Sequence, residues 1–299
     1  MGKFAKKNPI EVAQKQAANV MKTIQGKHIE SVGTVRNYEE ALSRVAQYAN
    51  RELSIGLREI TPEQATQYLE IRSEEVGQKT LDMERQAIQA MMHFTSKKLN
   101  QDERLDVIKS EHQQILKSRS YTQEQLKIIT ESQRPQNALS TQIAHAAGLR
   151  GHELFTLRRI EEREVSDRPA LAEKFQGREG ERYTVQGKGG LIREVRLPAH
   201  LAKQLEAQRL PEPKHVTDRS INYIQHYKIS AGRAWAASFS RASERKLGWS
   251  EGAHGVRHSY AQERMYELQN SGINRDKALE IVSQEMGHFR PDITETYLR

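Results

Sequence analysis

Four short stretches of this sequence contain the residue types that phosphate chemistry uses. They are GLRGHEL at 148–154, GKGG at 187–190, HGVRHSY at 254–260 and MGHFRPDITETYLR at 286–299. Each stretch is ordinary by itself, because charged and polar side chains of these types are usually exposed and solvated. Together they supply arginines, a lysine, histidines and a tyrosine, which is a set that could bind and attack an anionic ester.

The breaking of a phosphodiester makes specific demands on side chains. The ester is anionic and gains charge toward its five-coordinate transition state, so forked cations such as Arg150 and Arg257 suit its nonbridging oxygens. Tyr297 is a candidate nucleophile, but a phenol with an ordinary pKa of about 10 needs a base at neutral pH. His254 is the nearest candidate for that proton transfer. The leaving oxygen needs an acid, which a lysine placed among cations can supply.

Composition favours a polyanionic partner. The chain has 299 residues, a formal net charge of +8 and no cysteine. The basic residues concentrate at 181–250, where 13 Lys and Arg oppose 6 Asp and Glu. This balance favours nucleic acid as the ligand. The absence of cysteine excludes disulfides and thiolate zinc sites and is typical of a reducing cytoplasm.

In this order and with these spacings, the four stretches resemble the tyrosine recombinases, or phage-type integrases, across about residues 120–299. The N-terminal part resembles the core-binding domain of that family more loosely. The resemblance implies a two-domain clamp on duplex DNA and strand exchange through a covalent phosphotyrosine. It also implies a catalytic role for six residues and a supporting role for one acidic residue: Arg150, Lys188, His254, Arg257, His288 and Tyr297, supported by Glu153.

Several alternatives stay open for these residues. Glu153 either supports the site or pairs with Arg158. His258 fits a packing or hydrogen-bonding role better than a catalytic one. The His254–His258 spacing matches two helical metal ligands, but HGVRH lacks the glutamate of HExxH and holds an arginine, so no metal site is expected. The GKGG stretch is not a P-loop, so neither ATP nor any other cofactor is expected.

The first hundred residues have the periodicity of amphipathic helices. Apolar residues recur every three to four positions in 34–53 and again in 80–99. Thr61, Pro62 and Gln64 predict a helix start with a capping box. Polar residues at 100–120 indicate a domain boundary, which ends near a second capping box at Thr122–Gln125.

The second half changes from helical to strand periodicity only once. Helices are expected to about residue 158, and RYTVQGKGGLIREVRLP at 182–198 predicts a β-hairpin with Lys188 in its glycine turn. From Pro198 onward the chain is expected to be helical again. The predicted fold class is mainly α with a small β-hairpin or sheet, formed by an N-terminal helical, SAM-like core-binding domain and a tyrosine-recombinase catalytic domain.

Four segments are expected along the chain. They are a basic N-terminal tail or helix, a helical core DNA-binding domain, a linker and the catalytic domain, at 1–30, 31–110, 111–120 and 121–299. The charged stretch at 161–182 is longer than the turn typical of the family and predicts an inserted surface segment. Two residues follow Tyr297, so the exchange helix with which many relatives contact a neighbouring protomer is not expected. Either the insertion or the first 30 residues is expected to replace it.

The expected function is site-specific DNA recombination through a 3′-phosphotyrosyl intermediate and a Holliday junction. A mobile-element integrase is the first expectation and an Xer-like dimer-resolution enzyme the second. Two further alternatives are an inactive DNA-binding accessory protein and a related type IB topoisomerase. The expected partners are a double-stranded recombination site, three further copies in a homotetramer, and accessory DNA-bending proteins. No membrane segment is expected, and the expected location is cytoplasmic and nucleoid-associated.

Overall fold

The computed structural model describes residues 8–113 and 117–299. It divides into two compact units, Met1–Ile115 and Leu116–Arg299. The first seven residues of the predicted N-terminal segment and residues 114–116 of the predicted linker lie outside the described residues. Among the helices of the described part, none is long and apolar enough to cross a membrane.

Residues 8–113 of the first unit form four α-helices. They are α1 (Pro9–Ile24), α2 (Val32–Tyr48), α3 (Pro62–Ser73) and α4 (Gln78–Met91), with a π-helical turn after α2 at Ala49–Leu53 and another after α4 at Met92–Ser96. The capping box predicted at α3 is present, because Thr61 and Gln64 exchange side-chain and backbone hydrogen bonds. Residues 9–24, expected as either tail or helix, form α1 and bury its apolar face in this core.

A buried carboxylate ties three helices of this unit together. Glu84 on α4 is 0% exposed. It accepts hydrogen bonds from Arg44 on α2 at 2.9 Å, from Arg72 on α3 at 3.0 Å and from the Tyr68 hydroxyl at 2.9 Å. Charge removed from water is tolerated only when it is paired in this way. The predicted helices are therefore fixed by one polar centre as well as by apolar packing.

The second unit begins with two helices and a three-stranded antiparallel sheet. Helices α5 (Gln123–Glu131) and α6 (Pro135–Ala147) precede strands β1 (Arg158–Arg159), β2 (Glu181–Gln186) and β3 (Ile192–Leu197). Strands β2 and β3 form the predicted hairpin, with Gln186 opposite Ile192 and a short 3-10 turn at Lys188–Gly190. The inward faces of this hairpin join the main core of the unit.

The expectation that the chain is helical from Pro198 onward is wrong. After α7 (Ala199–Glu206), strands β4 (Arg209–Asp218) and β5 (Ile221–Tyr227) form a second hairpin. Its first strand contains two prolines, which usually argue against a strand, but here it is an edge of a two-stranded sheet where proline is tolerated. Its turn uses Arg219 and Ser220 with φ of 50° and 62°, the conformation usually signalled by Asn-Gly.

The remaining helices are α8 (Gly232–Leu247), α9 (Gly255–Asn270), α10 (Arg275–Glu285) and the short α11 (Pro291–Glu295). Helices α9 and α10 enclose a second apolar cluster of this unit, and Tyr297 belongs to it. The segment 161–180 between β1 and β2 has little regular structure but packs Phe175 inside, at 6% exposed. The predicted surface segment is therefore anchored to the unit.

Removal of the Glu84 carboxylate should destabilise the first unit strongly. Glu84→Ala leaves the Arg44 and Arg72 guanidinium groups without their shared partner and the Tyr68 hydroxyl buried without an acceptor, and a buried donor left unpaired costs about 1–3 kcal/mol of unfolding free energy. Urea denaturation followed by circular dichroism measures this loss. Glu70→Ala, at an exposed position on α3, should change stability by less than about 0.5 kcal/mol. Equal stability of the two variants would contradict the role of Glu84.

Candidate active site

The turn after α6 brings Arg150 and Glu153 together. Gly148 ends the helix with φ of 58°, and a side chain there would come within 2.5 Å of the Tyr260 ring. Glycine is therefore required by both the backbone conformation and the close approach. Beyond it, the Arg150 backbone N–H donates to the Glu153 carboxylate at 2.8 Å, and its guanidinium donates to the other oxygen at 2.8 Å. The GLRGHE stretch thus folds into a turn that is closed by two hydrogen bonds from Arg150 to Glu153.

Glu153 is a buried anion among three arginines. It is 0% exposed, and besides Arg150 it accepts from Arg193 at 2.9 Å and lies 3.9 Å from Arg257. Burial alone raises its pKa, but Arg193, Arg257 and Arg150 outweigh that effect and lower the pKa to about 2. The carboxylate is therefore ionised at neutral pH. The alternative that Glu153 pairs with Arg158 is wrong, because its ion pairs among the described residues are with Arg150, Arg193 and Arg257.

Arg257 is held by backbone carbonyls from two directions. It is 0% exposed and lies in the first turn of α9. Its amino groups donate to the Gly148 carbonyl and to the Met286 carbonyl at 2.5 Å. Burial and the nearby Arg150 lower its pKa to about 10, so the guanidinium is still charged at neutral pH. The helix that carries it starts at Gly255, where a side chain would collide with the Arg119 carbonyl at 2.3 Å.

Arg193 on β3 was not predicted as a site residue. It is 3% exposed, and it donates to the Glu285 carbonyl at 2.7 Å as well as to Glu153. Its strand position could have identified it, because Arg193, Val195 and Leu197 alternate on the buried face. An arginine in the buried register of a strand requires an anionic or carbonyl partner. The residue joins the hairpin to the Glu153 cluster.

Tyr297 is fixed near the C-terminal end of the chain. It is 8% exposed, its backbone N–H donates to Thr294 at 2.9 Å, and its carbonyl accepts from Gln262 at 3.2 Å. Three imidazole rings surround its ring at centroid distances of 4.7 Å, 5.1 Å and 5.5 Å: His258, His288 and His254. The Arg257 guanidinium lies 5.5 Å from the same ring. The phenol is therefore placed among cationic and imidazole groups.

All three imidazoles are kept neutral at physiological pH. Burial, followed by the charge of neighbouring arginines, lowers the pKa of His254 to about 4 and that of His288 to about 3. Burial and Arg119 lower the pKa of His258 to about 4. Neutral imidazole has one nitrogen that can accept a proton. The surroundings of Tyr297 therefore contain bases rather than additional cations.

The hydrogen bonds of His288 determine which of its nitrogens carries the proton. Arg257 can only donate, so Nε2 of His288, at 3.0 Å from its guanidinium, must accept. Nδ1 then carries the hydrogen and donates to the Thr294 hydroxyl at 2.9 Å. Both nitrogens are occupied. His288 is thus set up to orient its neighbours, and the free proton acceptors near Tyr297 are on His254 and His258.

Lys188 faces a cavity of about 570 Å³ that Arg150 and His288 also line. Adjacent Gly187 lets the hairpin tip approach the cluster closely, since a side chain there would lie 3.2 Å from the Glu153 carboxylate. His288 connects this cavity with the surroundings of Tyr297, because it lines the cavity and its ring lies 5.1 Å from that of Tyr297. The structure thus brings all seven predicted residues into one region of the second unit. Within the described residues no cluster of three or more metal-ligating side chains occurs.

The neutral histidines predict an acid-sensitive fold. An unfolded histidine titrates near its ordinary pKa of 6.5, whereas these three titrate near 4, 4 and 3 in the folded unit. Between those values the unfolded chain binds more protons, so stability is complete above about pH 6.5 and falls as the pH decreases toward 4. The thermal unfolding midpoint should follow this course. His258→Phe removes one of the titrating rings, so the unfolding midpoint of this variant should fall less steeply as the pH decreases.

A suitable control for that measurement is His215→Gln, because His215 is an exposed histidine on β4. The thermal unfolding midpoint of His215→Gln should fall between pH 6.5 and 4.5 by as much as that of the unchanged protein. A His258→Phe profile as steep as the unchanged one would show that His258 is not a source of the acid sensitivity.

Solved structures provide the comparison with known proteins. No protein-family model matches the chain, and no curated protein does. A structure of the XerH site-specific recombinase bound to its difH substrate is similar at TM-score 0.55 and 18% identity, covering 99% of this chain and 94% of that one. A Tn1549 transposon integrase in complex with transposon right-end DNA is similar at TM-score 0.55 and 14% identity, covering 96% and 94%.

A third similar structure is a lambda integrase tetramer bound to a Holliday junction, at TM-score 0.59 and 13% identity, covering 95% of this chain and 76% of that one. At these identities the likeness demonstrates the fold. The predicted fold class, mainly helical with small sheets, is confirmed.

Proposed function

We propose that this chain, which has the fold of the tyrosine recombinases, is a site-specific DNA recombinase that forms a 3′-phosphotyrosyl intermediate. One observation carries the proposal: Arg150 and Arg257 share the buried Glu153 carboxylate, and Arg257 and His288 both lie beside the Tyr297 ring. A protein that only binds DNA has no chemical need for a phenol held in that place.

The proposed cleavage step uses these groups in separate roles. The Tyr297 oxygen attacks the phosphorus, the bond from phosphorus to the 5′ oxygen breaks, and the phosphate stays on the 3′ end as a tyrosyl ester. Arg150 and Arg257 stabilise the charge on the nonbridging oxygens, and each such fixed donor typically contributes about 10²–10³ in rate. The ester retains the energy of the broken bond. A 5′ hydroxyl of another strand can therefore displace the tyrosine without a nucleotide cofactor.

The protons move between neutral imidazole, phenol and lysine. His254 takes the phenolic proton, because its neutral ring lies 5.5 Å from that of Tyr297 and the residue, although partly desolvated by its neighbours, keeps contact with water. His258 is also neutral but 6% exposed, which suits it less to proton exchange. Lys188 donates a proton to the departing 5′ oxygen. Glu153 keeps the two catalytic guanidinium groups charged and oriented.

The DNA partner and assembly follow from the same proposal. The substrate is a double-stranded recombination site, and the first unit is the core-binding domain on that site. Recombination breaks four strands and each protomer has one Tyr297, so the active assembly is a homotetramer that passes through a Holliday junction. The similar lambda integrase structure is such a tetramer. Integration of a mobile element is the proposed role, and Xer-like dimer resolution is the alternative; a transposon integrase and the XerH site-specific recombinase are both among the similar structures.

Covalent trapping tests the nucleophile. A duplex site selected by the protein from a random pool is nicked a few nucleotides from the cleavage position, so that attack releases the short fragment that carries the new 5′ hydroxyl and the covalent adduct is trapped. The unchanged protein should shift to a covalent complex on a denaturing gel, and Tyr297→Phe should form none while binding the duplex with similar affinity. Tyr266→Phe, which alters a tyrosine that is 70% exposed on α9, should react normally. Tight binding without any adduct would support the accessory DNA-binding alternative.

A substrate with a sulfur atom in place of the bridging 5′ oxygen tests Lys188. A thiol has an ordinary pKa of about 8.5, so it leaves as a thiolate without protonation. Lys188→Ala should slow cleavage of the normal substrate by about 10²–10⁴, the usual contribution of a general acid. The sulfur substrate should restore most of that rate. Equal impairment on both substrates would assign Lys188 to phosphate binding instead.

A further inference from the structure

The charged segment 161–180, here called the strap, is fixed at its first half to the β2–β3 hairpin. Arg163 donates to the Thr156 carbonyl at 2.7 Å and to the Thr184 hydroxyl at 3.1 Å. Ser166 and Ile192 then exchange two hydrogen bonds, from the Ser166 N–H at 2.9 Å and from the Ile192 N–H at 3.0 Å. The Ser166–Ile192 pair attaches the strap to the outer edge of β3, and the Arg163 bonds attach it to β2 and to the turn before β1.

The second half of the strap is fixed to α9 and α10. The Leu171 N–H donates to the Gln284 side chain at 2.8 Å, and the Phe175 N–H donates to the buried Glu285 carboxylate at 2.9 Å. Arg178 forms a two-pronged pair with Glu267 on α9, at 2.9 Å and 2.8 Å. A chain tethered on both sides holds the residues between its anchors within a small range of positions.

Arg168 lies between the two sets of anchors and faces the catalytic cavity. Ser166 and Arg168 line the cavity together with Arg150, Lys188 and His288. The Arg168 guanidinium lies 4.5 Å from the centroid of the Phe289 ring, a cation–π distance that orients its plane. Phe289 follows His288 directly and has φ of 54°, which is rare for a bulky residue and typical of functional sites. The Phe289 ring, directly after Gly287-His288, therefore helps to position the Arg168 guanidinium.

The charge of Arg168 is available to a ligand. Among residues 8–113 and 117–299, no carboxylate forms an ion pair with Arg168, although Arg290 on the same cavity wall pairs with Asp292 at 3.4 Å. Arg150 shares its charge with Glu153. Consecutive phosphates of a DNA strand are spaced by about 3.4 Å along the helix axis, so a strand that places one phosphate at Arg150 also brings its neighbours to the cavity wall.

From this geometry we infer that Arg168 binds the phosphate adjacent to the scissile phosphate. The inference rests on the proposed function, since it assumes that DNA lies in this cavity. The strap is then part of the DNA-binding surface: it supplies a forked donor that fixes the position of the strand while Arg150 and Arg257 act on the reacting phosphorus.

Neutral phosphate substitution tests this contact. Uncharged methylphosphonates are placed singly at each position around the cleavage site, and affinity is measured for the unchanged protein and for Arg168→Gln. The variant should bind the normal site about tenfold more weakly, a typical loss for one charged hydrogen bond. The slope of log affinity against log salt should decrease by about 0.9, the value for one phosphate contact. At one position next to the cleaved bond, the methylphosphonate should weaken DNA binding by the unchanged protein but should not weaken binding by Arg168→Gln any further.

Two matched variants complete the design. Arg168→Lys keeps the charge and should retain the salt slope, and Arg182→Gln removes a guanidinium already paired with Glu194, so its affinity should not change. The unfolding midpoint of Arg168→Gln should match that of the unchanged protein, because Arg168 is exposed. The assignment of Arg168 would be overturned if Arg168→Gln bound the normal site as tightly as the unchanged protein. It would also be overturned if Arg168→Gln bound more weakly but no single methylphosphonate caused the same loss in the unchanged protein.

The adduct assay separates this inference from the proposed function. If the unchanged protein cleaves the nicked duplex and Arg168→Gln binds it with the same affinity and the same salt slope, the inference alone is overturned. An unchanged protein that forms no adduct overturns the proposed function, and methylphosphonates placed singly across the whole selected site then decide whether Arg168 contacts a DNA phosphate.

Discussion

The site depends on one buried anion. Without Glu153, the guanidinium groups of Arg150, Arg193 and Arg257 would repel one another in a region from which water is largely removed. The carboxylate is kept ionised by the three cations, and it keeps them charged and close together in return. Because these arginines come from the turn after α6, from β3 and from α9, the same charge also joins three elements that are distant in sequence.

A second buried carboxylate of the second unit, that of Glu285, is paired in the same way. Glu285 is 1% exposed and accepts hydrogen bonds from Arg264 at 3.0 Å and from the Tyr260 hydroxyl at 2.8 Å. It also receives the Phe175 N–H of the strap, and its carbonyl receives Arg193. Glu285 is separated by one residue from the Gly-His turn, so the strap, the hairpin and the turn that holds His288 share one anchor. Glu84 has the equivalent position in the first unit. Paired buried charges therefore specify the arrangement of helices that apolar packing alone would leave less defined.

Local sequence signals predicted much of this fold. The capping boxes at Thr61 and Thr122 and the hairpin around Lys188 are decided by neighbouring residues, and the structure has all of them. The β4–β5 hairpin was missed because its prolines and its Arg219–Ser220 turn are atypical of a hairpin. Its formation depends on long-range packing, which includes Tyr223 stacked on Phe155 at 4.9 Å.

The candidate site shows the same division. Residue types and spacing predicted which groups could act on a phosphodiester, and the structure brings those groups together. Arg193 was missed because its function depends on what lies across the strand, and Glu153 was left with two alternatives because sequence distance favoured Arg158 as much as the site. Partner choice for a buried charge is decided by tertiary proximity, which spacing along the chain does not record.

None of the three histidines of the free site is protonated near neutral pH, and the proposed reaction requires this state. Imidazolium ions beside Arg150 and Arg257 would add charge repulsion and could not accept a proton from Tyr297. Burial, together with the charge of nearby arginines, therefore keeps the imidazoles unprotonated, so that they can accept a proton although they are weak bases. A bound phosphate partly neutralises those cations and raises the affinity of the imidazoles for protons. Proton transfer from the phenol thus becomes more favourable when the substrate is in place, and less so when the site is empty.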